Sequence, residues 1–163
     1  LGRSEWRNAK IVGLENSNEE KRDTVYPQRR YQVMKIKSLD HVGIRVMKFD
    51  KAIEFYEKLA FSVTRQDPKE HVVVLKHDSG VEINLLDSGN DDNNQKNVLM
   101  DIEVKYPGYT HYAIEVDSAD KTKLYLESIG LAVTEGPVTF GDGKTSVFIR
   151  DPDKNVIEFT QLP

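Results

Sequence analysis

An internal repeat limits this chain more than any other feature. Residues 40–64, DHVGIRVMKFDKAIEFYEKLAFSVT, lie over residues 110–134, THYAIEVDSADKTKLYLESIGLAVT, at an offset of 70 with no gap. His41 meets His111, Ile44 meets Ile114 and Val46 meets Val116. Asp50, Lys51, Glu57, Val63 and Thr64 also meet identical partners, eight identities in the 24 positions from His41 onward. Self-similarity of this kind means two copies of one supersecondary unit. The match resumes where VEINLL (81–86) lies over IEFTQL (157–162), aligning Glu82 with Glu158 at an offset of 76. The second copy is therefore expected to have gained six residues, at the GDGK stretch 141–144 where a glycine-rich turn absorbs them.

Each copy reads as a strand, a helix and three further strands. Residues 38–47 alternate, with Val42, Ile44 and Val46 apolar, as in a half-buried strand. Residues 49–60 space Phe49, Ala52, Ile53, Tyr56, Leu59 and Ala60 as on one helix face. Strands follow near 61–66, 70–77 and 80–87. The second copy gives a strand at 109–117, a helix at 119–129 stopped by Gly130, and strands near 131–135, 145–150 and 155–161. The modules span 38–87 and 108–162, joined by a polar, turn-rich linker at 88–107. Its carboxylates do not have calcium-loop spacing. Residues 1–33 are densely charged and unpatterned and read as an extension, with the domain at 34–163.

Composition removes several classes. The chain has no cysteine, which excludes disulfide scaffolds, iron–sulfur clusters and thiol catalysis. Its net charge is −4 with no basic face, which disfavours nucleic acid. No apolar run reaches a membrane span of roughly 20 residues, and no signal peptide pattern opens the chain. A cytoplasmic protein is expected, with a small-molecule substrate and a second copy of itself as partners.

Alternation sorts the strand residues into two faces. Val42, Ile44 and Val46 face the helix, leaving His41, Gly43 and Arg45 opposite; the repeat leaves His111, Ala113 and Glu115. On the last strands, Glu82, Asn84 and Leu86, and Glu158 and Thr160, take the face away from the helix. One His and one Glu per copy, related by the repeat, would converge on a site of two imidazoles and two carboxylates. That donor set suits a divalent first-row metal. His71 and His77 have no counterparts in the second copy and are expected on the surface.

The motifs DHVGIRV, AIEFYEKLAF, VEINLL, THYAIEV and FIRDPDKNVIEF resemble the vicinal oxygen chelate superfamily, the glyoxalase I, bleomycin-resistance and extradiol dioxygenase group, over about 34–163. The resemblance implies an α+β fold, two tandem βαβββ modules forming a curved sheet around a metal cavity. It implies the ligand set His41, Glu82, His111 and Glu158 for Ni, Zn, Co, Mn or Fe. Like glyoxalase I, the chain would stabilise an enediolate, with Glu82 or Glu158 as general base. Arg45 matches that enzyme's carboxylate-binding arginine. Leu86 stands where glyoxalase I has an asparagine, so Asn84 is the expected substrate contact and glutathione is disfavoured. Extradiol dioxygenases need a tyrosine where this chain has Phe148, and a histidine that residues 78–110 lack. A lyase or isomerase is therefore expected ahead of a dioxygenase or a drug-binding protein.

Overall fold

The computed structural model describes residues 35–90 and 96–163, so the expected extension at 1–33 lies outside the described residues. Lys37–Pro163 forms one compact unit. The first module runs β1 (Val42–Arg45), α1 (Phe49–Lys58), β2 (Ser62–Asp67), β3 (Val72–Lys76) and β4 (Glu82–Leu86). The second runs β5 (His111–Glu115), α2 (Ala119–Ser128), β6 (Val133–Thr139), β7 (Thr145–Arg150) and β8 (Val156–Gln161). The fold is α+β, with two curved four-stranded sheets in the orders β1-β4-β3-β2 and β5-β8-β7-β6. β1 lies parallel to β4 and β5 to β8; the other pairs are antiparallel.

The expected helix-facing phase is the buried one. Ile44, Val46, Ile83, Leu85, Val73 and Leu75 join Val147, Ile149, Ile157 and Phe159 in a single core. Ala52, Phe55 and Tyr56 of α1 and Ala119 and Leu126 of α2 close it. Both helices therefore share one core. Burying side chains such as Tyr56, Leu75 and Ile83 contributes about 1.5–3 kcal/mol each. α1 carries Asp50 in its first turn and Lys58 in its last, each matched to the helix dipole. α2 begins on Ser118, whose hydroxyl accepts from the Lys121 N–H at 3.3 Å.

The modules are sewn together at the turn 151–155. Asp151 is buried and accepts from the N–H groups of Asp153 (2.9 Å) and Asn155 (2.8 Å) and from Asn155 Nδ2 (2.9 Å). Across the module boundary, Tyr56 of α1 donates its hydroxyl to Asp151 at 3.3 Å. Asp153 accepts from the Met47 N–H, and Asn155 Nδ2 donates to the Arg45 carbonyl. The linker is pinned to the same turn. Arg150 grips Asp101 at 2.8 and 3.1 Å, and Asn97 Nδ2 donates to the Lys154 carbonyl.

The repeat is visible in backbone detail, and the detail corrects the sequence alignment of the last strands. In β2, Val63 pairs with Leu75 and, after a bulge, Arg65 pairs with Val74. In β6, Val133 pairs with Ile149 and, after the same bulge, Glu135 pairs with Phe148. Leu75 then pairs with Ile83 as Ile149 pairs with Ile157, and Val42 pairs with Ile83 as Tyr112 pairs with Ile157. The ladders close at an offset of 157 − 83 = 74, not 76. The second copy has gained four residues, not six, between Glu135 and Phe148. That stretch holds Gly136, at φ 99°, where a Cβ would stand 2.4 Å from the Ser146 carbonyl oxygen.

Ala60 sits at φ 63° past α1, where the repeat has Gly130 at φ 77°. Ala60→Gly is expected to raise the unfolding free energy by about 1 kcal/mol, read from urea melts. Burial, opposed by the Asn155 hydrogen bonds, pushes Asp151 up to about 6 from 3.8. Its folded pKa is raised, so the native state holds the proton more tightly and stability falls as pH rises through that range. The melting temperature of the wild type relative to Asp151→Asn is expected to drop between pH 5 and pH 7; a flat difference would refute it.

Candidate metal centre

β5 and β8 set His111 and Glu158 on the face away from the helices. His111 pairs with Val156 in the parallel ladder and Glu158 with Ala113, one step further on. The diagonal brings His111 Nε2 to 2.9 Å from Glu158 Oε2. Glu158 is buried, 9% exposed, and its other oxygen takes two hydroxyl donors, Ser146 at 2.6 Å and Thr160 at 2.7 Å. Charge-assisted bonds of this kind are what let a carboxylate stay buried. Phe148 meets the His111 ring edge-on at a centroid distance of 6.2 Å. Thr110 Oγ1 lies 2.9 Å from His111 Nδ1, so the two ring nitrogens face a hydroxyl and a carboxylate.

The first module is built differently. Asp40 Oδ2 lies 2.8 Å from His41 Nδ1. Among the described residues, one group of three candidate ligands falls within 4.8 Å of one another: Asp40, His41 and Glu82. Glu82 is more exposed than Glu158 and forms an ion pair with Lys76 at 3.0 Å. The expected ligands therefore gather as two separate clusters, one per module, and not as one group of four. His41 and His111 nevertheless line one cavity of about 760 Å³, with Gly43, Arg45, Leu99 and Tyr109 among its other walls.

Glu82 and Glu158 do not occupy equivalent places. The ladder offset of 74 puts Glu82 level with Val156, and Asn84 level with Glu158: Asn84 pairs with Gly43 as Glu158 pairs with Ala113. The same offset matches Val72 with Ser146 and Leu86 with Thr160. Thus the hydroxyls that hold Glu158 are replaced by hydrocarbon around Asn84. Among the described residues, Asn84 Oδ1 is buried with no hydrogen-bond partner. Arg45, the expected anion contact, is exposed and donates from Nε to Ser88 Oγ at 3.0 Å. His71 is exposed beside Asp87, as expected, whereas His77 is half-buried, beside Ser79 and with its ring 5.4 Å from that of Phe61. Asp40, Ser146, Thr160 and Lys76 are the neighbours that sequence reasoning missed. A short polar side chain before each histidine, Asp40 and Thr110, was the available signal.

The family model for the Glyoxalase/Bleomycin resistance protein/Dioxygenase superfamily matches residues 38–159. The glyoxalase domain-containing protein RDO1 of Mycosarcoma maydis is 30% identical over 139 residues, 83% of this chain and 74% of that protein. The structure of the virulence protein STM3117 from Salmonella typhimurium is 28% identical, with a TM-score of 0.56, covering 80% of this chain and 100% of that one. Lactoylglutathione lyase from Agrobacterium tumefaciens shares the fold at 21% identity and a TM-score of 0.57, over 78% of this chain and 95% of that one.

Removing a donor from the buried Glu158 leaves its charge under-solvated. Ser146→Ala is expected to lower stability by about 1–3 kcal/mol in urea unfolding at pH 7. Leu86→Ala, at the place equivalent to Thr160 but far more exposed, should cost less. Equal losses would show that the hydroxyl acts as packing and not as a donor.

Proposed function

The chain belongs to the glyoxalase/bleomycin resistance protein/dioxygenase superfamily, and within it we propose that it is a divalent-metal-dependent lyase or isomerase acting on a small carbonyl compound. One observation carries the reading. His111 Nε2 faces the buried Glu158 carboxylate, which is fixed by two hydroxyls, and His41 lines the same cavity as His111. Two imidazoles and a carboxylate are a donor set that fits Ni, Zn, Co, Mn or Fe. His41, His111 and Glu158 would hold the ion, which when bound acts as a Lewis acid on the substrate carbonyl.

The chain's own residues divide the remaining work. Glu158 has both oxygens engaged, by Ser146, Thr160 and His111, and serves as a fixed anchor. Glu82 lies beside His41, is less buried and pairs with Lys76 at 3.0 Å. It is the carboxylate with freedom to take a proton from the carbon next to the substrate carbonyl and to return it. Arg45 at the cavity wall would orient an anionic group on the substrate. Phe148, packed on His111, offers no proton to a reacting oxygen, which supports proton transfer over oxygen insertion.

The test is a metal-reloaded activity panel of hemithioacetals, 2-methylmalonyl-type thioesters and catechols. Deuterium exchange at the carbon next to a carbonyl is expected. Glu82→Gln is expected to cut turnover about 100-fold or more with metal content kept, whereas His111→Ala with Glu158→Ala should lose the metal. Oxygen uptake on a catechol by the Fe(II)-loaded protein, untouched by Glu82→Gln, would overturn the proposal in favour of a dioxygenase.

A further inference from the structure

We propose that the fourth place at the metal belongs to Asn84 and not to Glu82, so that the site carries two imidazoles, one carboxylate and one neutral amide. The inference rests on the metal reading above and sharpens it.

Its first support is backbone register. The ladders map β1 and β2 onto β5 and β6 at an offset of 70, and β3 and β4 onto β7 and β8 at 74; both partners of β4, Gly43 of β1 and Val74 of β3, then put Asn84 in the rank of Glu158. In the second module that rank reaches its histidine, at 2.9 Å. Val42 and Gly43 of β1 hold Ile83 and Asn84 as Tyr112 and Ala113 of β5 hold Ile157 and Glu158. The residue that the repeat offers to His41 in the same geometry is therefore Asn84.

The second support is the surroundings. A buried carboxylate needs donors, and Glu158 has Ser146 and Thr160. The equivalent neighbours of Asn84 are Val72 and Leu86, which have none to give. With no ion bound, a neutral amide costs less in that setting than a carboxylate, whose charge only a bound cation would offset. The third support is the amide itself. Asn84 Oδ1 is buried without a partner among the described residues, an oxygen not committed to any other task. An unpaired buried carbonyl oxygen costs about 1–3 kcal/mol, and a hard cation is one group that repays it. Glu82, in contrast, stands level with Val156, whose side chain has no donor atom, and its carboxylate, though beside His41, is already paired with Lys76.

The consequence is a site with one negative charge fewer than two glutamates would give. That makes the ion a stronger Lewis acid and leaves Glu82 free to act as the base. The experiment is Co(II) binding to the full chain, measured by chelator competition with the visible absorption of the bound ion as a second readout. Asn84→Ala is expected to weaken binding by about tenfold or more and to change the absorption band, while Glu82→Gln leaves both unchanged. Asn84→Asp, which keeps the shape and supplies the charge, should bind Co(II) more tightly than the wild type and covers the case in which Asn84→Ala fails to fold. Weakening by Glu82→Gln, or unchanged binding in Asn84→Ala with no gain in Asn84→Asp, overturns this inference alone. A wild type that takes up no Co(II) overturns the metal reading and this inference with it.

Discussion

Asp151 is the group on which the arrangement of the two modules depends. It sits buried in the turn between β7 and β8, drawing in two backbone N–H groups and the Asn155 amide from its own turn. Its remaining bond is to Tyr56, from the helix of the other module. Burial raises both groups, so the tyrosine stays a neutral donor and Asp151 holds a proton more readily than an exposed carboxylate. The same turn reaches β1 through Asp153 and Asn155. A cavity lined by His41 of one module and His111 of the other needs such a joint, because the ladders bind strands only within each module.

With that joint in place, the two half-sites face the cavity with unequal equipment. The β5–β8 half has a carboxylate held at every oxygen and a histidine set against it. The β1–β4 half has an exposed histidine braced by Asp40, an amide among hydrocarbon, and a glutamate tied to Lys76 at the strand's first residue. The backbones repeat, even to the bulges in β2 and β6. The polar residues around the two histidines do not. A duplicated scaffold that keeps its hydrogen-bond ladders can change side chains on the face away from the helices in one copy with little effect on the hydrophobic core, since those positions never enter it.

Much of this was legible in the residues. The repeat gave two modules, the alternation gave the buried phase, α1 lies where the spacing of Ala52 and Tyr56 predicts, and α2 ends ahead of Gly130 as expected. The failure in register is equally physical. Strand side chains alternate with period two, so sliding VEINLL by two residues leaves every residue on its original face. The offset of 76 aligned Glu82 with Glu158 and Leu86 with Leu162; the true offset of 74 aligns only Ile83 with Ile157 as identities. Identity favoured the wrong slip, and only hydrogen-bond pairing tells the two apart. Asp151 escaped for another reason: alternation has nothing to say about a turn. Ser146 and Thr160 are ordinary strand residues until their strands are laid side by side.

The distinction between Glu82 and Asn84 matters because of what a carboxylate does at each distance from a metal. As a ligand it neutralises charge and is itself made less basic, so it can take a proton only by leaving. One step along the strand it keeps its basicity and its mobility while remaining within reach of a bound carbonyl compound. The register places Glu82 at that second position, next to His41 but out of the rank that Glu158 defines. In the proposed reaction, the fixed anchor and the mobile base then come from different modules. Ser146 and Thr160 immobilise one carboxylate, and a single half-exposed lysine restrains the other.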